Sequence, residues 1–186
     1  MKTISIKDIL LTGNFGDVKL GMTKDQVIDI LGQPEFDDNT SQKYTGELIY
    51  GNYEFFYWKS NAKILGFINS KLSFLGSTKK HHKNKIYFSN ETFKVDLSFI
   101  RISHANTNRE VKKWLVTNNI PFEEKIDDFN NINLCFLSGV ILTFIDTSSY
   151  WGIDNNDKVE QLQPLSSTEE FLLEGIRQYD LSISEK

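Results

Sequence analysis

The same short helix is written twice in this chain. Thr23, Gln26, Val27, Ile30 and Leu31 return in type and spacing as Thr107, Glu110, Val111, Trp114 and Leu115. In each set a threonine stands three residues ahead of Gln or Glu, the pattern of a capping box, and the apolar positions behind it recur at helical spacing. Gly32 and Pro34 stop the first helix; Asn118 or Asn119 and then Pro121 stop the second. Polar residues and then aromatic-rich segments follow each copy. The pattern predicts an α+β protein of two related halves, each a capped short helix on an antiparallel β-meander.

Alternation and turn residues extend this reading. In the first half, strands are expected at 17–20, 47–50, 53–58, 64–68 and about 71–75, with 35–41 as a polar turn. In the second, they are expected at 86–88, 92–102, 122–126, 133–137 and 140–145, with Ser138 and Gly139 as a two-residue hairpin turn. Ser167, with Glu170 three residues later, is expected to cap a C-terminal helix edged by Phe171, Leu172 and Ile176. Residues 1–76 form the N-terminal half, 77–85 a polar basic linker or loop, and 86–186 the C-terminal half with its terminal helix. Trp114 and Leu115 are expected in the core.

The 186 residues suffice for one large domain or two small lobes. With 25 acidic against 21 basic side chains the net charge is −4, which disfavours a general nucleic-acid-binding role. Cys135, the single cysteine, cannot form an internal disulfide and sits in an apolar run, as a small buried hydrophobe would. The N-terminus interrupts its apolar residues with charge and has no signal-peptide core, and no apolar run approaches membrane-spanning length. A cytoplasmic location is expected, with no membrane partner.

Catalytic and metal-binding patterns are not recognisable. His81 and His82 are adjacent in a lysine-rich stretch, a poor chelating geometry, and His104 reads as a loop residue. Gly13 to Gly16 lacks the spacing of a phosphate-binding loop. Neither a catalytic residue, a metal ligand nor a cofactor is therefore assigned. Acidic residues gather instead in segments read as loops, and Asp37, Asp38, Asp127, Asp128, Asp154 and Asp157 are the candidates for meeting a basic partner. In the run 53–58, alternation separates Tyr53, Phe55 and Tyr57 from Phe56 and Trp58. One set fills the core and the other is either covered or an aromatic hot spot; Tyr53 and Trp58 are the candidate anchors.

The phrase Leu20-Gly21-Met22-Thr23, then Val27, then Leu31-Gly32-Gln33-Pro34, resembles the opening of small bacterial α+β domains, among them the lipoprotein subunit of the outer-membrane β-barrel assembly machinery. A longer set is similar to uncharacterised cytoplasmic bacterial proteins of the immunity type. It adds Tyr50-Gly51-Asn52-Tyr53-Glu54-Phe55, Glu110 to Leu115, Ile120-Pro121-Phe122, Gly139-Val140 and Leu142-Thr143-Phe144. Such proteins are similar in kind to the immunity proteins of polymorphic-toxin and contact-dependent growth inhibition systems, and the resemblance implies binding to a cognate toxin with no active-site residues.

The expectation is a non-enzymatic immunity protein that neutralises a bacterial toxin domain, as in a toxin–antitoxin pair. Two alternatives stand beside it. One is a small-ligand protein or enzyme with a site between the halves; the other is an adaptor or nucleic-acid module using the aromatic strands and the lysines of 79–85.

Overall fold

The computed structural model describes residues 1–40, 42–69, 89–96, 106–146, 151–153, 159–161 and 167–183. Expected strands at 71–75 and 86–88, the linker 77–85 and the three histidines lie outside the described residues.

Both capped helices form where the sequence places them. In α2 (Lys24–Leu31) the Gln26 N–H donates to Thr23 Oγ1 at 3.3 Å and the Thr23 N–H donates to Gln26 Oε1 at 2.9 Å. Gly32 follows at φ 82°, a conformation a side chain would strain. In α3 (Asn108–Thr117) the equivalent bonds join Thr107 and Glu110, each at 3.2 Å, and Asn119 takes the left-handed conformation ahead of Pro121. Each cap is worth about 1 kcal/mol. Val27, Leu31, Val111 and Leu115 are buried, whereas Trp114, expected in the core, is only half-buried. Its helix buries the stripe Asn108, Val111 and Leu115, and Trp114 falls on the flank of that stripe.

An earlier helix, α1 (Ile6–Thr12), has no counterpart in the expected elements. It follows β1 (Lys2–Ser5) directly, so the burial of Ile4 and Ile6 and then Ile9 and Leu10 switches from strand to helical period within one segment. The strand expected at 17–20 does not form. Phe15 and Val18 instead exchange backbone hydrogen bonds at 3.0 and 3.1 Å around a tight turn. That turn sets the Phe15 ring 5.1–5.9 Å from Tyr53, Phe55, Phe67 and Phe93.

One antiparallel sheet of eight strands organises the core, in the order β2-β3-β4-β5-β12-β9-β8-β7. The strands are β2 (Phe36–Asp38), β3 (Thr45–Tyr50), β4 (Tyr53–Trp58), β5 (Ile64–Asn69), β7 (Glu123–Ile126), β8 (Ile132–Cys135), β9 (Ile141–Ile145) and β12 (Leu172–Tyr179). Strands that follow α2 and strands that follow α3 form the two flanks, meeting at β5 and β12. Two smaller pairs accompany it: β1 with β6 (Phe93–Asp96), parallel, and β10 (Trp151–Ile153) with β11 (Val159–Gln161), antiparallel. Buried residues of α1, α2, α3 and both flanks form one cluster, including Ile9, Leu31, Phe55, Leu115 and Phe144.

Three expectations are corrected by this sheet. Residues 36–38 pair with β3 as an edge strand, not as part of a turn. The β8–β9 turn is a three-residue loop, Leu137 to Gly139, closed by Phe136 and Val140, with Gly139 at φ 84°. The C-terminal helix is absent: one 3₁₀ turn at Thr168–Glu170 leads into β12, the strand that joins the flanks. A β-bulge between Leu173 and Gly175 explains the misreading. Leu173 is buried before the bulge and Ile176 and Gln178 after it, so the inserted residue broke the period of two and imitated a helical spacing.

Candidate functional site

Alternation sorts the side chains of this sheet into two populations. Leu48, Tyr50, Tyr53, Phe55, Tyr57 and Phe67 point into the helix-covered core and are buried. Tyr53 is 0% exposed, which removes it as an anchor for a partner. On the opposite face, which carries no helix among the described residues, the pairing register lays residues in rows. One row runs Asp38, Glu47, Phe56, Gly66, Tyr179. The next runs Phe36, Ile49, Glu54, Ile68, Arg177, Ile141. Trp58 and Thr45 stand opposite one another beyond the first row.

The accessible part of this face lies towards β2. Phe36 is 68% exposed and Tyr179 42%, and Glu47, Ile49, Glu54, Phe56 and Trp58 are half-buried. Farther along the same face Asn133, Thr143 and Ile145 are buried, so the surface closes towards β8 and β9. Tyr179 lies over Gly66 and brings its ring 6.1 Å from Phe56. A methyl at Gly66 would overlap the Tyr179 ring and come within 2.6 Å of the Gln178 carbonyl oxygen, so the close stacking requires glycine there. The Trp58 indole N–H donates to the Ile183 carbonyl at 2.8 Å, tying the chain beyond β12 to the rim of the face. An open groove of about 360 Å³ runs along β2, lined by Phe36, Asp37, Asp38, Asn39, Thr40 and Ile49.

Charge on this face is one-sided at its β2 end. Asp38 stands directly opposite Glu47, and Glu54 is one diagonal step away. Burial, then the charges of Glu54 and Asp38, push the Glu47 carboxyl above its ordinary value. Arg177 reaches in the other direction, donating to Asn133 Oδ1 at 3.4 Å.

The loop acids divide. Asp37 points to the helix side, where its carboxylate pairs with Lys24 of α2 at 2.6 Å and accepts from the Tyr57 hydroxyl at 2.6 Å. Burial raises its pKa, but the two hydrogen bonds and the Lys24 charge outweigh that and hold it below the ordinary carboxylate value. Asp38 is on the helix-free face and accepts from Thr40. Asp127 organises the β7–β8 loop: it accepts from the Phe129 and Asn131 N–H groups and from the Asn131 and Asn133 side chains, at 2.9–3.2 Å. Burial opposes ionisation there too, and those bonds overcome it. Asp128 is exposed beside Phe129, which is 85% exposed. Asp154 and Asp157 lie outside the described residues. Of the candidates, Asp38 and Trp58 share a face, Asp128 stands apart from them, and Asp37 and Asp127 are held by internal bonds.

Glu47, Glu54, Phe36 and Tyr179 are not among the site residues singled out from the sequence, and Phe56 enters only beside Trp58 on one strand face. The signal for Glu47 is the alternation of Gly46-Glu47-Leu48-Ile49-Tyr50, which puts its carboxylate on the outer side of a strand rather than in a loop. Among the described residues no three His, Cys, Asp or Glu side chains stand close enough to hold a metal ion, and no helix is long and apolar enough to cross a membrane. No family model, curated protein or solved structure matches the chain.

Proposed function

We propose that this protein is a non-enzymatic immunity protein that binds a cognate bacterial toxin domain in the cytoplasm through the helix-free face of its sheet. The observation that carries the reading is the combination on one face of exposed Phe36 and Tyr179, half-buried Phe56 and Trp58, and the carboxylates of Asp38, Glu47 and Glu54. Aromatic side chains with fixed neighbours supply contact area at low entropic cost, and one-signed charge speeds association with a basic partner. A groove at a sheet edge also suits a small ligand, but its aromatic and acidic lining continues onto a broad surface, which favours a protein.

The same reading includes a tandem origin for the chain. Its support is the matched capping boxes of α2 and α3, and the parallel placement of β2-β3-β4-β5 and β7-β8-β9-β12 counted inwards from the two sheet edges. A crystal structure in which the two sets fail to superpose would refute it.

Co-expression with the product of each adjacent gene, scored by growth and by pull-down, tests the function. Rescue from a toxic neighbour and recovery of a complex, both lost on Phe36→Ala/Phe56→Ala, are expected. Absence of protection and of any complex would overturn the reading.

A further inference from the structure

Ion pairing elsewhere in this protein sets the background. Among the described acids, Asp37 pairs with Lys24, Glu124 and Glu169 with Lys112, Glu123 with Lys125, and Asp17 with Lys2. Glu47 and Glu54 have no Lys or Arg within ion-pair distance among the described residues, although both sit on a sheet face with a third carboxylate, Asp38, directly across from Glu47. Like charges placed opposite one another on a sheet oppose folding. The arginine that shares this face, Arg177, is turned towards Asn133.

The surroundings of those carboxylates narrow what could satisfy them. Phe56 stands opposite Glu47, Ile49 stands opposite Glu54, and exposed Phe36 borders the groove of about 360 Å³ along β2. A cation on a short polar stem would leave these apolar neighbours uncovered. An arginine does not: its planar guanidinium bonds carboxylate oxygens in pairs and stacks on an aromatic ring, while its methylenes cover apolar surface. Groove, aromatic rings and charge thus select one chemistry.

Resting on the binding-face reading above, we infer that the strip from the Phe36 groove to Glu54 takes an arginine-bearing segment of the partner protein, with a guanidinium placed between Glu47 and Glu54 against Phe56. In the absence of that partner the carboxylates repel one another, so neutralising them relieves strain in the free protein and removes the recognition element at once.

The test uses the whole chain with fluorescein-labelled nona-arginine as probe and nona-lysine as comparison, read by anisotropy at two salt concentrations. Glu47→Gln/Glu54→Gln is set against Asp29→Asn/Glu91→Gln, which changes net charge equally at exposed positions away from the face. The first variant should lose at least tenfold in affinity for nona-arginine, show a weaker salt dependence and melt no lower than wild type; the second should lose less than threefold. Wild type should prefer nona-arginine to nona-lysine. Equal losses in both variants, or no preference between the peptides, would overturn the inference, as would a wild-type dimer in sedimentation analysis that Phe36→Ala/Phe56→Ala dissociates. If adjacent-gene complexes survive Glu47→Gln/Glu54→Gln but not Phe36→Ala/Phe56→Ala, the arginine assignment fails while the binding face stands.

Discussion

The hydroxyl of Tyr57 donates to the carboxylate of Asp37 at 2.6 Å, joining the middle of the sheet to its edge strand. Asp37 also holds Lys24, so the contact fixes β2 against α2. Tyr57→Phe should therefore destabilise the protein by about 1 kcal/mol, less than a fully buried bond to a charged acceptor gives, because the carboxylate is a third exposed. The Asp37 pKa is lowered on folding, so its contribution is complete above the ordinary value of 3.8 and fades as pH falls through the folded value. Urea titrations of wild type and variant should differ at pH 7 and converge below pH 3.8. A gap that persists in acid would assign the loss to packing.

Gly66 and Tyr179 make a second testable pair. Gly66→Ala should cost about 1–3 kcal/mol through overlap with the ring and with the Gln178 carbonyl. Combining it with Tyr179→Ala should restore part of that loss, since the ring is removed and the carbonyl is not. A double-mutant cycle by chemical denaturation reads the coupling, and strict additivity would argue against the close approach.

Leu115 and Trp114 should respond unequally. Leu115 is 0% exposed, and Leu115→Ala should cost about 2–5 kcal/mol. Trp114→Ala should cost less than Leu115→Ala because its ring lies on the flank of the helix stripe. The order of the two denaturation midpoints decides the orientation of α3.

Among the acids first drawn from the sequence, reversal should have different effects by position. Asp38→Lys and Asp128→Lys should keep the fold, with stability changed by less than about 0.5 kcal/mol for exposed Asp128. Asp37→Lys should lower the melting temperature by placing a second cation against Lys24. On the immunity reading, Asp38→Lys should slow toxin association and reduce its salt dependence, and surface plasmon resonance with a co-purifying neighbour product measures both.

What could be read directly was local. The Thr23–Gln26 and Thr107–Glu110 boxes and the Gly32 and Asn119 exits rest on interactions within a few residues, and β4 and β9 on runs rich in apolar or aromatic residues; each forms. What escaped depends on distant partners. Residues 36–38 are a strand because β3 pairs with them, and 172–179 because β5 and β9 flank them. Site residues followed the same rule. Acidity in loops suggested Asp37 and Asp127, yet turns and edges use carboxylates to satisfy backbone and neighbouring groups. Glu47 and Glu54 became candidates only once strand register showed what stood beside them.

The position of β12 between β5 and β9 has a consequence for biogenesis. On the ribosome, β5 emerges well ahead of the strand that completes it, and in the interval the Phe67 and Ile68 edge has no native neighbour on that side. Long-range pairing of this kind folds slowly and leaves the nascent chain open to association with other strands. Assembly of the sheet is thus deferred until synthesis has passed β12, and protective activity, on the reading proposed here, would begin only then.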